Sequence, residues 1–390
     1  MPPLLPPPPR PPLPTAPPLA SLGLVADVQH ADIDDGASFD GSERRCYRRA
    51  LEHAAAAGAA FRAARCRAAL QVGDAIDGHN ASAAKFGADG AAGPQGRAAL
   101  AAVLARLCGS GGAEGAAPPP LPLFHCVGNH ELLNFSRAEL RALLPLPLAG
   151  ADADADLAVA VPASAARDAR LYYSARLARG WRLLVLDAYD VAVGRHGADV
   201  GSPQHERAVE ILRANNPNAS AWSSATSGNY FAGLEEAGTR QRFVPFNGGV
   251  GDEQLQWVRA ALRECAAAGD SAVVAIHVPT FDRALRSDGV PGSISKCLVF
   301  DFAELLEALA AAPSCVSLVL SGHLHEGAFG VDDAGIPHVT LESPLTHAAE
   351  GAHAVLHLFE DRLELQGFGA VTSRVFPSRR AEKEAPAPAV

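Results

Sequence analysis

Paired cysteines are missing from this chain. Its seven cysteines, at 46, 66, 108, 126, 265, 297 and 315, are odd in number and form no C-x-x-C pair. That argues against a disulfide framework and a thiolate zinc site, and for a reducing, cytoplasmic setting. The thiols read as small buried hydrophobes. A basic surplus is missing too: 33 Lys and Arg stand against 43 Asp and Glu, a formal net charge of −10. A general nucleic-acid binder needs the opposite balance to displace counterions. No apolar run approaches the roughly 20 residues of a membrane span, and the mean hydropathy of +0.06 owes much to alanine. The start lacks the charged and apolar regions of a secretory leader and is poor in the Ser and Arg of a transit peptide, so organellar targeting by it is the weaker alternative. No repeat of fixed period is visible.

Proline and glycine are abundant, 30 and 36 of 390 residues. Eleven of the prolines fall in the first twenty residues, beside a single charge, Arg10. Proline fixes φ and removes backbone donors, so residues 1–20 read as a tail. A second tail is expected over 371–390, mixed in charge and rich in Pro and Ala from Arg379 onward. The length allows one large domain or two small ones. No linker long enough to split the core is evident, so 21–370 reads as one domain with a Gly/Ala/Pro insertion near 109–122.

Between the tails, short apolar strands alternate with helical patterns. Strands are expected at Leu22–Val28, Ala69–Val72, Leu123–Val127, Ser271–Ile276 and Val316–Leu320. Helices are expected over Glu43–Arg67, Gly96–Leu107, Arg137–Leu144 after a Ser136 cap, Asp252–Ala268 with Asp252 as cap, and Phe300–Ala311. Leu171–Leu177 and Trp181–Asp187 read as a hairpin. The last third alternates like β-structure. The class is an α/β sandwich.

Polar groups recur where the strands end. The first ends in Asp27-Val28-Gln29, the second in Gly73-Asp74 with Asp77 three residues on, and the third in Gly128-Asn129-His130-Glu131. The strand at 271–276 ends in His277, and that at 316–320 in Gly322-His323-Leu324-His325. Taken singly each is weak, since Gly-Asp is a common turn and a lone His is usually a packed residue. Five together, each at the carboxyl end of a strand, can converge in one crevice of an α/β fold. Two divalent ions about 3.5–4 Å apart can clamp the attacking and leaving oxygens of phosphoryl transfer. Such a pair needs one bridging carboxylate, here Asp74. Mixed His, Asp, Asn and Gln ligation without thiolate suits Mn, Fe or Zn. Asp27, Gln29, Asp74 and His325 are assigned to one ion, and Asp74, Asn129, His277 and His323 to the other. A hydroxide held between them would attack phosphorus. His130, beside a ligand but not one itself, can donate to the departing oxygen.

The order Asp-x-[His/Gln], Gly-Asp-x-x-Asp, Gly-Asn-His-[Asp/Glu], His, Gly-His-x-His resembles the calcineurin-like metallophosphoesterase pattern, over roughly residues 21–370. Most of that superfamily has His where this chain has Gln29. Gln29 and its flanks are similar to one branch, the manganese-dependent ADP-ribose/CDP-alcohol diphosphatases. The stretches that carry this are Ala26-Asp-Val-Gln-His-Ala-Asp-Ile-Asp-Asp-Gly36, Gly73-Asp-Ala-Ile-Asp-Gly-His-Asn80, Gly128-Asn-His-Glu-Leu-Leu-Asn-Phe-Ser-Arg137, Leu186-Asp-Ala-Tyr-Asp190 and Phe246-Asn-Gly-Gly249. A Gln oxygen is a harder ligand than imidazole, in keeping with manganese.

The resemblance implies a four-layer α/β/β/α sandwich of the metallophosphoesterase type and two divalent ions, Mn²⁺ preferred, with Zn²⁺, Fe or Mg²⁺ as substitutes. It implies small-molecule nucleotide conjugates as partners. ADP-ribose would give AMP and ribose 5-phosphate; CDP-choline or CDP-glycerol would give CMP and a phospho-alcohol. The ligands carry over as assigned, with His130 as the catalytic histidine. Phe39, Asn134 and Cys297 fall in stretches that match the branch and are candidate substrate contacts. A monomer without nucleic-acid or membrane partners is expected. The alternatives are a generic metallophosphodiesterase or protein phosphatase on the same fold, and a non-catalytic scaffold, which typically loses ligands. A purple acid phosphatase is disfavoured, because no Tyr stands at a ligand position. His30 and His79 adjoin ligand segments and are candidates for outer-shell roles. His125, inside a strand, reads as packed.

Overall fold

The computed structural model describes residues 16–38, 41, 43–81, 94–109, 120–144, 157, 159–167, 170–193, 200–219, 230–286 and 293–379. Strand β1 (Ala20–Val25) is followed by a short hairpin, β2 (Gly36–Ala37) and β3 (Arg44–Arg45), and by helix α1 (Ala50–Ala63). Next come β4 (Ala68–Gln71), α2 (Pro94–Cys108), β5 (Leu123–His125), α3 (Asn129–Asn134) and α4 (Arg137–Leu143). The middle holds β6 (Val159–Ala160), α5 (Ala163–Arg167), β7 (Tyr173–Ala178), β8 (Trp181–Val185), α6 (Pro203–Asn215) and α7 (Gly251–Ala268). The remainder is β9 (Ser271–Ala275), β10 (Leu285–Arg286), α8 (Phe302–Ala310), β11 (Val316–Ser321), β12 (Glu326–Val331) and β13 (Pro337–Glu342). It closes on β14 (Ala352–Leu358), β15 (Arg362–Gly369) and β16 (Arg374–Pro377).

Two large sheets form. The first has the order β16-β15-β14-β1-β4-β5, and the second β10-β12-β13-β11-β9-β8-β7-β6. β1, β4 and β5 are mutually parallel, as are β8, β9, β11 and β13. Leu22, Leu24, Leu70 and Phe124 of the first sheet meet Leu183, Val273, Leu318 and Leu320 of the second in one buried cluster. Neighbouring residues on the same strands point the other way, as strand alternation requires. Val25 and Ala69 pack with Ala54, Ala57 and Phe61 of α1 and Val103 of α2; Val274 packs with Val258 and Leu262 of α7 and Leu305 of α8. The result is the expected four layers, helices outside two facing sheets. At Gly23 an added Cβ would fall 2.4 Å from Phe61 Cγ, so α1 lies directly on β1 only because that position has no side chain.

Several sequence expectations are corrected. The helix expected from Glu43 begins at Ala50; Arg44–Arg45 pair with Gly36–Ala37 instead. Asp252 does not cap α7. The carboxylate of Asp301 accepts from Val250 N at 3.0 Å and Gly251 N at 2.8 Å, capping the helix from 50 residues away. Ser136 does cap α4, with Glu139 reaching back to its backbone N–H. The first sheet continues past residue 370, because Phe376 of β16 is buried between the sheets. The insertion's core, residues 110–119, lies outside the described residues, as does most of the N-terminal tail. Among the described residues no helix is long and apolar enough to cross a membrane.

His125 is packed as expected, and burial pushes its pKa down to about 3. The unfolded chain therefore binds a proton near pH 6.5 that the folded chain refuses until about pH 3. This contribution is absent above pH 6.5 and destabilises by about 1.4 kcal/mol per pH unit below it. His125→Leu should flatten that part of the acid branch. Urea unfolding from pH 7 to pH 4 measures it, and identical slopes in the two proteins would show that His125 takes no part.

Candidate active site

The carboxyl ends of β1, β4, β5, β9 and β11 open on one crevice, where the five sequence clusters meet. Four of the residues there are held in the left-handed backbone region: Asp27 (φ 51°), Gln29 (φ 44°), Asp74 (φ 56°) and His323 (φ 66°). Among the described residues only Arg65 shares this non-glycine conformation. Such backbone costs of order 1–3 kcal/mol per residue and persists where surrounding bonds over-determine it. Here Asp27 N donates to Gly73 O at 3.0 Å, Gln29 N to Asp74 O at 2.9 Å and Gly322 N to His277 O at 2.9 Å. The motif glycines make room. A Cβ on Gly73 would lie 2.0 Å from His277 Nδ1, and one on Gly128 2.0 Å from Asp74 Oδ1. Each glycine thus clears space for a group from another cluster.

Asp74 lies at the centre. Its Oδ2 is 3.3 Å from His277 Nε2 and 3.3 Å from Gln29 Nε2, and its Oδ1 accepts from His130 N at 2.8 Å. Asp27 Oδ1 is 4.0 Å from His277 Nε2 and 3.6 Å from His325 Nε2, while its Oδ2 accepts from His323 N at 2.9 Å. Asp74, His277 and His323 bring one ligating atom each within 4.8 Å of one another. Asn129 joins through its Oδ1, which accepts from Tyr189 OH at 3.2 Å.

The three histidines are each fixed at one ring nitrogen. His277 Nδ1 faces Val72 O at 2.7 Å, His323 Nε2 faces Asn247 Oδ1 at 3.0 Å, and His325 Nδ1 faces Glu43 Oε2 at 3.0 Å. Placing the proton on the tethered nitrogen leaves the other one bare, which is how metal-binding histidines are oriented. Asp27 Oδ1, Gln29 Oε1 and His277 Nε2 are buried and have no hydrogen-bond partner. Buried polar atoms without partners are rare and call for an explanation. A divalent cation fits this donor set of carboxylate, amide oxygen and imidazole. Glu131 underlies it all: its carboxylate accepts from Asp74 N at 2.8 Å, Ala75 N at 2.5 Å and Gly128 N at 2.9 Å, tying two loops together.

Charge in the crevice is strongly coupled. Burial opposes ionisation of Asp74, but the positive charges of His277 and His130 hold its carboxyl below the usual range. Burial raises the Asp27 carboxyl. For His277 burial favours the neutral ring, yet Asp74 and Asp27 push it up to about 9. Burial and the charge of His277 hold His323 well below the ordinary histidine value.

His130 stands beside this group. Its Nε2 is 3.9 Å from Asp74 Oδ2, and its Nδ1 is 2.8 Å from Gly78 N and 3.2 Å from Asp77 Oδ2. The two Nδ1 contacts serve its two protonation states: a bare Nδ1 accepts from Gly78, and a protonated one faces Asp77.

The outer candidates divide. Asn134 is buried, and its amide donates to Asp77 O at 3.0 Å and His130 O at 2.8 Å. Its nitrogen is spent on joining loops rather than presented to a substrate. Cys297 is half-buried in a small cluster with Phe281, Ile294 and Leu324, and burial raises its thiol. Phe39 lies outside the described residues. Sequence reading missed Glu43, Asn247 as a histidine partner, and Tyr189. It also missed that Arg137 and Asp187, from two of the quoted stretches, form a buried ion pair, with Arg137 also donating to Tyr189 O.

The architecture has a solved counterpart. A dimetal phosphatase from Danio rerio superposes with a TM-score of 0.72 at 29% identity, over 93% of this chain and 99% of that one. Fold and crevice together define a metallophosphoesterase of the two-metal type. No protein-family model matches the sequence. Curated relatives do: the manganese-dependent ADP-ribose/CDP-alcohol diphosphatase of Bos taurus is 31% identical over 365 residues, 93% of this chain and 95% of the relative. Its Arabidopsis thaliana counterpart is 30% identical over 366 residues, covering 92% and 97%. The chain belongs to the family of manganese-dependent ADP-ribose/CDP-alcohol diphosphatases.

Proposed function

We propose that this protein hydrolyses the phosphoanhydride of nucleoside diphosphate conjugates, ADP-ribose to AMP and ribose 5-phosphate, and CDP-choline or CDP-glycerol to CMP and a phospho-alcohol. The observation that carries the reading is the convergence of three tethered histidines on two carboxylates beside three unpartnered buried atoms: His277 Nε2 lies 3.3 Å from Asp74 Oδ2, His325 Nε2 3.6 Å from Asp27 Oδ1, and His323 offers a ring nitrogen within 4.8 Å of the Asp74 and His277 ligand atoms. Asp27, Gln29, Asp74 and His325 would hold one Mn²⁺, and Asp74, Asn129, His277 and His323 a second. When bound, such ions acidify water and offset charge on the phosphoryl oxygens.

The chain's own residues do the rest. Asp74 would be shared by both ions, and its contacts to His277, Gln29 and the His130 backbone hold it in place for that role. Glu131 and the positive-φ turns hold the donors rigid before substrate arrives, which lowers the reorganisation cost at the moment of reaction. Water's oxygen bonds to one phosphorus and sheds its proton to solvent, the P–O bond to the other phosphate breaks, the leaving oxygen takes a proton from His130 Nε2, and the ring regains one from solvent. Asp77 then faces the ring's far nitrogen. The same reading takes the protein as a cytoplasmic monomer. Seven free thiols support the reducing setting.

A panel of ADP-ribose, CDP-choline, cyclic nucleotides and phosphopeptides, run in Mn²⁺ and in Mg²⁺, tests the proposal. Release of AMP and CMP is expected. Turnover of cyclic nucleotides or phosphopeptides alone would move the reading to a diesterase or protein phosphatase, and no turnover to a scaffold. Gln29→His should keep the fold and shift the metal preference away from manganese, since imidazole is the softer donor. Activity and bound metal across a Mn²⁺, Zn²⁺ and Fe²⁺ series read this out. An unchanged profile would show that Gln29 is not the selector.

A further inference from the structure

One histidine beside the crevice has no part in the ligand set. His79 follows the Gly73-Asp74-Ala-Ile-Asp77 turn, and its side chain is 59% exposed. Its Nδ1 lies 2.5 Å from Asp77 Oδ1, and its backbone N–H donates to the same oxygen at 2.8 Å. The ring meets the buried Tyr47 edge-on, with centroids 5.6 Å apart at 72°. His79 is thus anchored at two points. Asp77 itself is 0% exposed. Its other oxygen, Oδ2, accepts no ordinary hydrogen bond and lies 3.2 Å from His130 Nδ1. A single buried carboxylate therefore stands between two imidazoles, one in the crevice and one at the surface.

We propose that His79 is a positioning residue for the hydrolysis, fixing the Asp77 carboxylate so that its second oxygen holds the His130 ring with Nε2 toward the leaving group. This rests on the reading of His130 as the proton donor. A carboxylate has one soft torsion, and rotating it about that bond swings both oxygens together. With Oδ1 pinned by a ring N–H and a backbone N–H, Oδ2 has one place to go. Without the ring N–H, the backbone bond alone fixes Oδ1, and Oδ2 can drift from His130. The hydrogen bond to Asp77 also raises the His79 pKa above its ordinary value, so the pair strengthens with the anion it holds. Partners of this outer kind are typically worth 10–100-fold when removed.

The test uses the full-length protein with Mn²⁺ and two substrates. ADP-ribose has a leaving phosphate that benefits from a proton. The p-nitrophenyl ester of thymidine 5′-monophosphate releases a phenolate that needs none. His79→Ala should lower kcat on ADP-ribose by roughly 10-fold, with KM and bound Mn²⁺ unchanged, and leave the aryl ester near wild type. His79→Asn, whose amide can donate from the Nδ1 position, should restore most of the rate. His130→Ala, run in parallel, should show the same substrate split in stronger form. An equal loss on both substrates, no loss on either, or a His79→Asn protein as slow as His79→Ala would overturn the assignment of His79. A split in His130→Ala without one in His79→Ala would overturn it while keeping the hydrolase. Absence of AMP release by the wild type would sink the hydrolase reading and this inference with it.

Discussion

Asp74→Ala should fold, bind less metal and lose turnover by roughly 10³-fold or more. The carboxylate touches both halves of the crevice, with His277 and Gln29 on one oxygen and the His130 backbone on the other. Its removal costs several kcal/mol of charge stabilisation in the transition state, at 1.36 kcal/mol per tenfold. The loops it sits between are also tied by Glu131 to the backbone N–H groups of Asp74, Ala75 and Gly128. Those bonds do not involve the Asp74 side chain, so the scaffold should survive. Circular dichroism, metal content by mass spectrometry and rate on ADP-ribose separate the outcomes. A variant with near-normal turnover would refute the two-metal assignment.

His130→Ala should leave metal content near normal and lower kcat on ADP-ribose by roughly 10²–10⁴-fold, the range of a lost general acid. The reason is geometric. The bond from residue 130 to Asp74 Oδ1 comes from its backbone N–H, which alanine keeps. What alanine loses is the ring, with Nδ1 near Asp77 and Gly78 and Nε2 open toward the crevice. Metal loss in parallel with the rate would instead make His130 a support of the metal site.

The chemistry was legible wherever it was carried by short, local patterns. Apolar strands that end in Gly-Asp, Gly-Asn-His-Glu or Gly-His-x-His signal both where a strand stops and what it presents there. The structure brings Asp27, Gln29, Asp74, Asn129, His277, His323 and His325 together as those endings suggest. An α/β sandwich was legible for the same reason, since alternation of strand and helix leaves few ways to cover a sheet; its four layers were implied by the resemblance to the metallophosphoesterases. What failed were local rules with a rival elsewhere in the chain. Asp252 sits where a helix cap is expected, but the helix begins one residue earlier and its leading N–H groups, on Val250 and Gly251, are taken by Asp301 from some 50 residues away. At Asn134, a candidate substrate contact, two backbone carbonyls take the amide nitrogen.

By itself the sequence determined the donor types, their order and the strands that carry them, because these depend on periodicity and on single residues at strand ends. Only the tertiary structure decided how each donor is aimed. Glu43 on His325, Asn247 on His323, Val72 on His277 and Asp77 between His79 and His130 are contacts that are mostly remote in sequence and follow no spacing rule. A ring nitrogen's direction is set by whatever packs against its other side, and that partner exists only once both sheets have come together.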